Sequence, residues 1–274
     1  MASSSRFSGI DSVYNLLLFH KTDRDIYDRL IAHGTSPVVA RNIVALLVWL
    51  DITGVNAISY LSDNFNNAFA FIRLTAEAET ILDCLRRDFP PRESALAIPV
   101  IASLTTQPLD LGFFHFHRHE AAERIAEILA AGRFFFDDAL FATFRRYEAA
   151  MEEARRCNSA SPPMPPELAR PYVPATLAAE TSADQRSLIL SFLMGSSFTE
   201  QEIAVYFAEK WGDNCVERVV FEEMTSLPTS AHFCARVIFK REGYVALVLH
   251  DSLVFRFAIN GKQVWARRVE QRRN

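Results

Sequence analysis

The hydropathic period of this chain changes once, and the change falls at a proline-rich stretch. Pro162, Pro163, Pro165, Pro166, Pro171 and Pro174, with Ser159 and Ser161, crowd residues 157–185. No helix interior or central strand accommodates that density, so the stretch reads as a semi-rigid, partly polyproline linker. It divides a front half of helical periodicity, residues 1–156, from a rear part of strand-like alternation, residues 186–274. At 274 residues the length suits two compact units.

In the front half, Thr22 with Asp25 resembles a capping box opening a helix that stops near Gly34. Ser36-Pro37 then supplies an N-cap and a first-turn proline, followed by Ile43, Val44, Leu46, Leu47, Trp49 and Leu50, with Gly54 as the stop. That segment is apolar on nearly every side, which predicts a helix in the middle of a bundle. A third long helix is expected from Asp63 to Arg87, ended by Pro90-Pro91, and then a short apolar segment over 94–104. The last runs from Arg118 to Arg156 with a break near Gly132.

Behind the linker, residues 188–193 read as a strand, and Thr199 with Glu202 as a capping box for a helix ending near Gly212. Val216–Phe221 and Phe233–Phe239 read as strands and Glu242–His250 as a short helix. Val254–Ile259 and Lys262–Val269 flank Asn260-Gly261, the strongest local hairpin signal. The expected fold class is therefore α+β: an all-α helical bundle followed by a ferredoxin-like β-α-β-β-α-β unit.

Formal net charge is −4, but unevenly distributed. From Arg186 onward 12 Lys+Arg face 10 Asp+Glu, whereas the remainder has 17 against 23. The basic excess gathers at the end, in Arg267, Arg268, Arg272 and Arg273. An acidic front and a basic tail suggest different partners for the two parts. Cys84, Cys157, Cys215 and Cys234 form no CxxC pair, which suits reduced thiols inside a cell. The start, MASSSRFSG, lacks the charged-then-apolar pattern of an export signal. Ile43–Leu50 is far short of the ~20 apolar residues a membrane helix requires. The expectation is an intracellular protein, nuclear or cytoplasmic, without a membrane partner.

The rear unit resembles RNA-recognition motifs, in which RNA lies on the open face of a four-stranded sheet and aromatics on the first and third strands stack bases. The third-strand pattern K/R-G-F/Y-G/A-F-V-x-F/Y aligns with His232 to Phe239. Ala235, Val237 and Phe239 match its inward positions. Cys234 and Arg236 occupy the two exposed stacking positions, and Ile189 takes the one on the first strand. Stacking contributes roughly 1–3 kcal/mol per base, so binding of this kind needs substitutes. If Val264 and Ala266 face the core, alternation sends Trp265 and Arg267 to the open face. Ile189, Cys234, Arg236, Lys262, Trp265, Arg267, Arg268, Arg272 and Arg273 are thus the candidate nucleic-acid contacts. Trp265 serves equally well as a cover against the tail or the helical half, and the arginines as a solvated tail.

His115, His117 and His119 suggest metal ligation, but they open a helix, lie near no cysteine and do not form HExxH; no metal and no cofactor is expected. No nucleophile elbow, phosphate-cradling glycine loop or paired-carboxylate constellation appears, and no enzyme is expected. A helix-turn-helix over residues 22–53 is disfavoured by an apolar second helix in an acidic half.

The segment from Asp25 to Gly54 with its VVALLVWLD run, Ile81–Leu85, and the phrases FTEQEIAVYFAEKWGD and FAINGKQVWAR together resemble a plant-specific family. Its members carry an N-terminal helical domain before an atypical RNA-recognition-motif domain. The resemblance implies a nucleic-acid-associated regulatory role, with some relatives linked to immune-receptor interaction and defence transcription. Two readings follow: a regulator touching RNA or DNA through the degenerate sheet while the acidic helical domain recruits a protein, or an adaptor whose sheet docks a protein only.

Overall fold

The computed structural model describes residues 10–88, 98–173, 181–193, 198–222 and 232–269. It is an α+β protein, helical in its N-terminal part, with a five-stranded antiparallel sheet in its C-terminal part.

The helical part comprises α1 (Val13–Phe19), α2 (Lys21–Ala32), α3 (Pro37–Ile52), α4 (Ala57–Asp63), α5 (Ala68–Arg86), α6 (Pro99–Ser103), α7 (Leu111–Phe116), α8 (Arg118–Phe135), α9 (Asp138–Arg156) and the short α10 (Pro166–Ala169). Side-chain caps set half of these starts. Ser36 accepts from the Val39 N–H, Asn67 from Ala70, Asp110 from Phe113 and Asp137 from Leu140. α3 is central, with every residue from Ile43 to Leu50 buried.

Several boundaries differ from the sequence expectation. Thr22 caps nothing: α2 opens at Lys21, and His20 Nδ1 donates to Asp23 Oδ2 at 2.5 Å in the first turn. The long helix expected from Asp63 starts instead at Ala68, where Asn67 supplies the cap, and α4 precedes it as a separate short helix. The break expected at Gly132 lies instead at Phe136–Asp137. Gly132 answers a packing demand, since a Cβ there would sit 2.6 Å from the Phe136 ring. The described portion of the proline-rich stretch lies against α1 rather than hanging free. Arg170 O accepts from Val13 N at 2.9 Å, Tyr172 N donates to Asp11 O at 3.1 Å, and Leu168 and Tyr172 are buried.

The C-terminal part runs β1 (Ser187–Leu193), α11 (Glu200–Trp211), β2 (Val216–Glu222), β3 (His232–Phe239), α12 (Glu242–Leu249), β4 (Val254–Ile259) and β5 (Lys262–Arg268). The sheet order is β2-β3-β1-β5-β4, so the final hairpin contributes both an inner strand and a new edge. Both halves of the Thr199–Glu202 capping box are formed. Asn260 and Gly261 have φ of 49° and 76°, the left-handed pair a tight hairpin turn requires. Leu188, Leu190, Ala235, Val237, Phe239, Val264 and Ala266 all face α11 and α12 and are fully buried.

The other sides of α11 and α12 are covered by the helical part. Tyr244, Val245, Leu247, Val248 and Leu249 are all buried, so α12 is apolar around its whole circumference. At its start the backbone of Gly243 meets α8 directly. A Cβ on Gly243 would lie 2.6 Å from Ala126 Cα and 2.8 Å from its carbonyl oxygen. The last turns of both helices leave carbonyls without intrahelical donors, and the helical part supplies them. Arg118 Nη2 and His119 Nε2 donate to Glu209 O at 2.8 and 2.6 Å, at the end of α11. Arg86 Nη2 donates to Val248 O at 3.3 Å at the end of α12, where Asn42 Nδ2 adds a second donor at 3.1 Å to the Ala246 carbonyl, which already accepts from His250 N. Buried Lys210 donates to Asp88 at 2.6 Å and to the Tyr206 hydroxyl at 3.2 Å. One continuous apolar cluster therefore runs from α3 through α12 into the sheet.

Two outcomes are expected. Gly243→Ala, which on an isolated helix gains roughly 1 kcal/mol, should here cost about 1–3 kcal/mol through overlap with Ala126; urea unfolding measures the sign. A chain beginning at Thr181 should bind a hydrophobic dye or aggregate, because it uncovers the outer side of α12, whereas the full chain should not.

Candidate nucleic-acid interface

Residues paired directly across an antiparallel sheet project from the same face. The face away from α11 and α12 is therefore assigned by register. One row crosses it as Val220, Arg236, Ile189, Arg267 and Val254. The next row is Cys234, Ser191, Trp265 and Arg256. A third row holds Arg218, Ile238 and Ser187.

The centre of this face is shallow. Ile189 and Cys234, at two of the positions where RNA-recognition motifs carry aromatics, are 6% and 5% exposed, and Ser191 Oγ lies 3.5 Å from Cys234 Sγ. Longer side chains rise around them. Arg256, on the edge strand, holds its guanidinium 5.8 Å from the centre of the half-buried Trp265 ring. Arg267, in the next row of β5, is exposed, as is Arg218 on β2. Arg236 is steered by the turn before β1: Nε donates to Ser187 Oγ at 3.1 Å and Nη2 pairs with Asp184. The result is four guanidiniums on one face, with an indole between two of them.

Among the candidates named from sequence, Ile189, Cys234, Arg236, Trp265 and Arg267 share this face. Lys262 and Arg268 do not. Lys262 lies over the Phe198 ring at 5.1 Å on the helix-bearing side, and Arg268, opposite Leu188, forms an ion pair with Glu242 at 3.7 Å. The physical reason is the two-residue period of β5, which puts Lys262 and Arg268 in phase with Val264 and Ala266. Arg272 and Arg273 lie outside the described residues. Arg218 and Arg256 were not among the candidates. For Arg256 the signal was present, because a two-residue Asn260-Gly261 loop pairs Ile259 with Lys262 and hence Arg256 with Trp265. For Arg218 it was not, because a register shift between Val216 and Arg218 breaks simple alternation.

The histidines of 115–119 take part in packing. His119 donates to the end of α11, His117 Nδ1 lies 3.9 Å from Glu120, and His115 Nε2 lies 3.4 Å from Arg118. Burial, then Arg118 and Lys210, hold the His115 pKa below its usual value. Among the described residues no group of His, Cys, Asp or Glu side chains is arranged to hold a metal ion. No helix among them is long and apolar enough to cross a membrane. A cavity of about 430 Å³ lies between the α2–α3 turn, α5 and the end of α12, lined by Glu79, Asp83, His250 and Asp251 among others. At its inner side Asn42 Nδ2 donates to His250 Nδ1 at 2.9 Å, an arrangement that requires the neutral imidazole.

No protein family, curated protein or solved structure matches this chain.

Acid sensitivity follows from the His250 contact. Burial first, and the Arg86 charge second, lower the His250 pKa against the pull of Asp83 and Asp251. With the folded value below the unfolded one, the unfolded chain takes up the proton first as pH falls through about 6.5. Stability should therefore decline from neutral pH downward and level off below the folded pKa. His250→Asn keeps a residue type that tolerates the φ of 48° and removes the titration. The slope of Tm against pH between about 7 and 5 should be shallower in that variant.

Proposed function

We propose that this chain is a non-enzymatic, nucleic-acid-associated regulatory protein that binds RNA or DNA through the open face of its sheet, with the helical half as the part that recruits a protein partner. The observation that carries the reading is that Arg218, Arg236, Arg256 and Arg267 share one face of the sheet with Trp265, whose ring Arg256 approaches. Guanidiniums bind phosphate and stack on bases, and an indole stacks any base regardless of sequence. A face made for protein docking would be dry and apolar. Here the apolar residues Ile189 and Cys234 are recessed and arginines stand around them. This favours nucleic acid over the adaptor reading.

A ferredoxin-like, RNA-recognition-motif-like account of residues 186–271 is supported by the strand order β2-β3-β1-β5, with α11 following β1 and α12 following β3. β4 adds a fifth strand beside β5. On this reading the binding surface shifts from the first and third strands toward the final hairpin. The plant-family resemblance points the same way, toward regulation and a nuclear or cytoplasmic location.

The test uses the full chain and a mixed pool of labelled single-stranded RNA and DNA, followed by fluorescence anisotropy across salt. Binding should be measurable at low salt and weaken steeply as salt rises, by counterion release. Trp265→Ala should weaken it about 5- to 100-fold, the range expected for one lost stack. Arg256→Ala/Arg267→Ala should also flatten the salt dependence. Absence of binding at low salt, or binding indifferent to all three residues, rules out this surface.

A further inference from the structure

β2 is an edge strand, and among the described residues no strand pairs with its outer side. Beside that edge runs a groove of about 420 Å³, walled by α11 on one side and β2 on the other. Its α11 wall is the stripe Gln201, Ala204, Val205 and Ala208, spaced so that all four lie along one side of the helix. None of these four is buried, and Val205 is 39% exposed. The opposite flank of α11, with Ile203, Phe207 and Trp211, is spent on the core. Val216 and Val219 form the strand wall.

Carboxylates stand at the two ends of the groove. Glu200 sits at the start of α11 and Asp213 just past its end, roughly 18 Å apart for a helix of this length. Neither is matched by a cation among the described residues. Glu217 is already held by Arg186 at 2.5 Å, and Arg218, which also lines the groove at β2, has no ion pair with Glu200 or Asp213 among the described residues. The groove thus combines a strand that is at the sheet edge among the described residues along one wall, small apolar side chains along the other, and a carboxylate at each end. An extended strand about five to six residues long spans that distance.

We propose that the groove between α11 and the outer edge of β2 binds an extended peptide segment of a partner protein, apolar at its centre and basic at both ends. Main-chain pairing to β2 would supply affinity, the apolar wall would select small side chains, and Glu200 and Asp213 would set position along the groove. This site is separate from the nucleic-acid face and does not rest on that reading. Its location on the sheet-bearing part also distinguishes it from recruitment by the helical half.

The probe is a fluorescein-labelled peptide, Lys-Lys-Val-Ser-Val-Ser-Lys-Lys, titrated with the full chain by fluorescence anisotropy. Saturable binding is expected, with at least a tenfold loss when Glu replaces every Lys. A comparable loss is expected when alternate peptide nitrogens in the central four residues are methylated, in one or other of the two registers. Val205→Lys/Asp213→Lys changes two exposed positions and should weaken binding at least tenfold while leaving the Tm and oligonucleotide binding unchanged. No saturable binding up to about 1 mM chain, equal affinity for the acidic peptide, or indifference to methylation in both registers would overturn the proposal. So would an unchanged affinity in the double variant at unchanged Tm.

Discussion

The structure depends on the burial of one short helix. α12 carries the sequence Glu242–Leu249, and nearly every side chain after its first residue is out of water. A helix apolar all round is stable only between two layers, and here the sheet is one and α8 with α3 and α5 the other. Gly243 lets α8 approach to backbone contact, at a position where an added Cβ would lie 2.6 Å from Ala126 Cα.

Polar groups fix the same junction. A helix end buried without donors for its last carbonyls is costly, because each orphaned acceptor loses its water. The carbonyls of Glu209 and Val248 are reached by Arg118 with His119 and by Arg86, all from the helical part. These donors lie dozens of residues or more from their acceptors in sequence. They explain why a run of histidines and arginine at 115–119, suggestive of a metal site when read locally, is packing chemistry. The side of the sheet domain that bears its helices is thus occupied by the chain itself. The two proposed sites lie away from that junction, on the opposite face and at the β2 edge.

The face opposite the helices shows how the two sides of one sheet answer to different demands. Inward positions such as Ala235, Val237 and Phe239 obey the packing demands of α11 and α12, and they follow the expected pattern. Ile189, Cys234 and Arg236, under no such demand, do not. Their small or cationic character leaves the middle of the sheet recessed, and moves aromatic and cationic groups out to Trp265, Arg256 and Arg267. A fifth strand makes this displacement feasible, since β4 brings Arg256 beside the indole.

Much of the architecture was legible from the sequence, because it is governed by local chemistry. Hydropathic period marked the α-helical and sheet-forming parts, and the Thr199–Glu202 box, Ser36-Pro37 and Asn260-Gly261 fixed an N-terminus, another N-terminus and a hairpin. The hairpin even fixed the pairing of Arg256 with Trp265. Tertiary structure decided what local signals could not rank. It passed over the box at Thr22, moved one helix start from Asp63 to Ala68, broke another helix at Phe136–Asp137, and laid the proline-rich stretch around Arg170–Tyr172 against α1. It set Lys262 and Arg268 on the helix side of the sheet, and brought Arg218 to the open face past a bulge that sequence does not announce. The reason is range. Caps, turns and periodicity act within about four residues, whereas which face a charge occupies and which carbonyl a donor reaches depend on layers meeting across the whole chain.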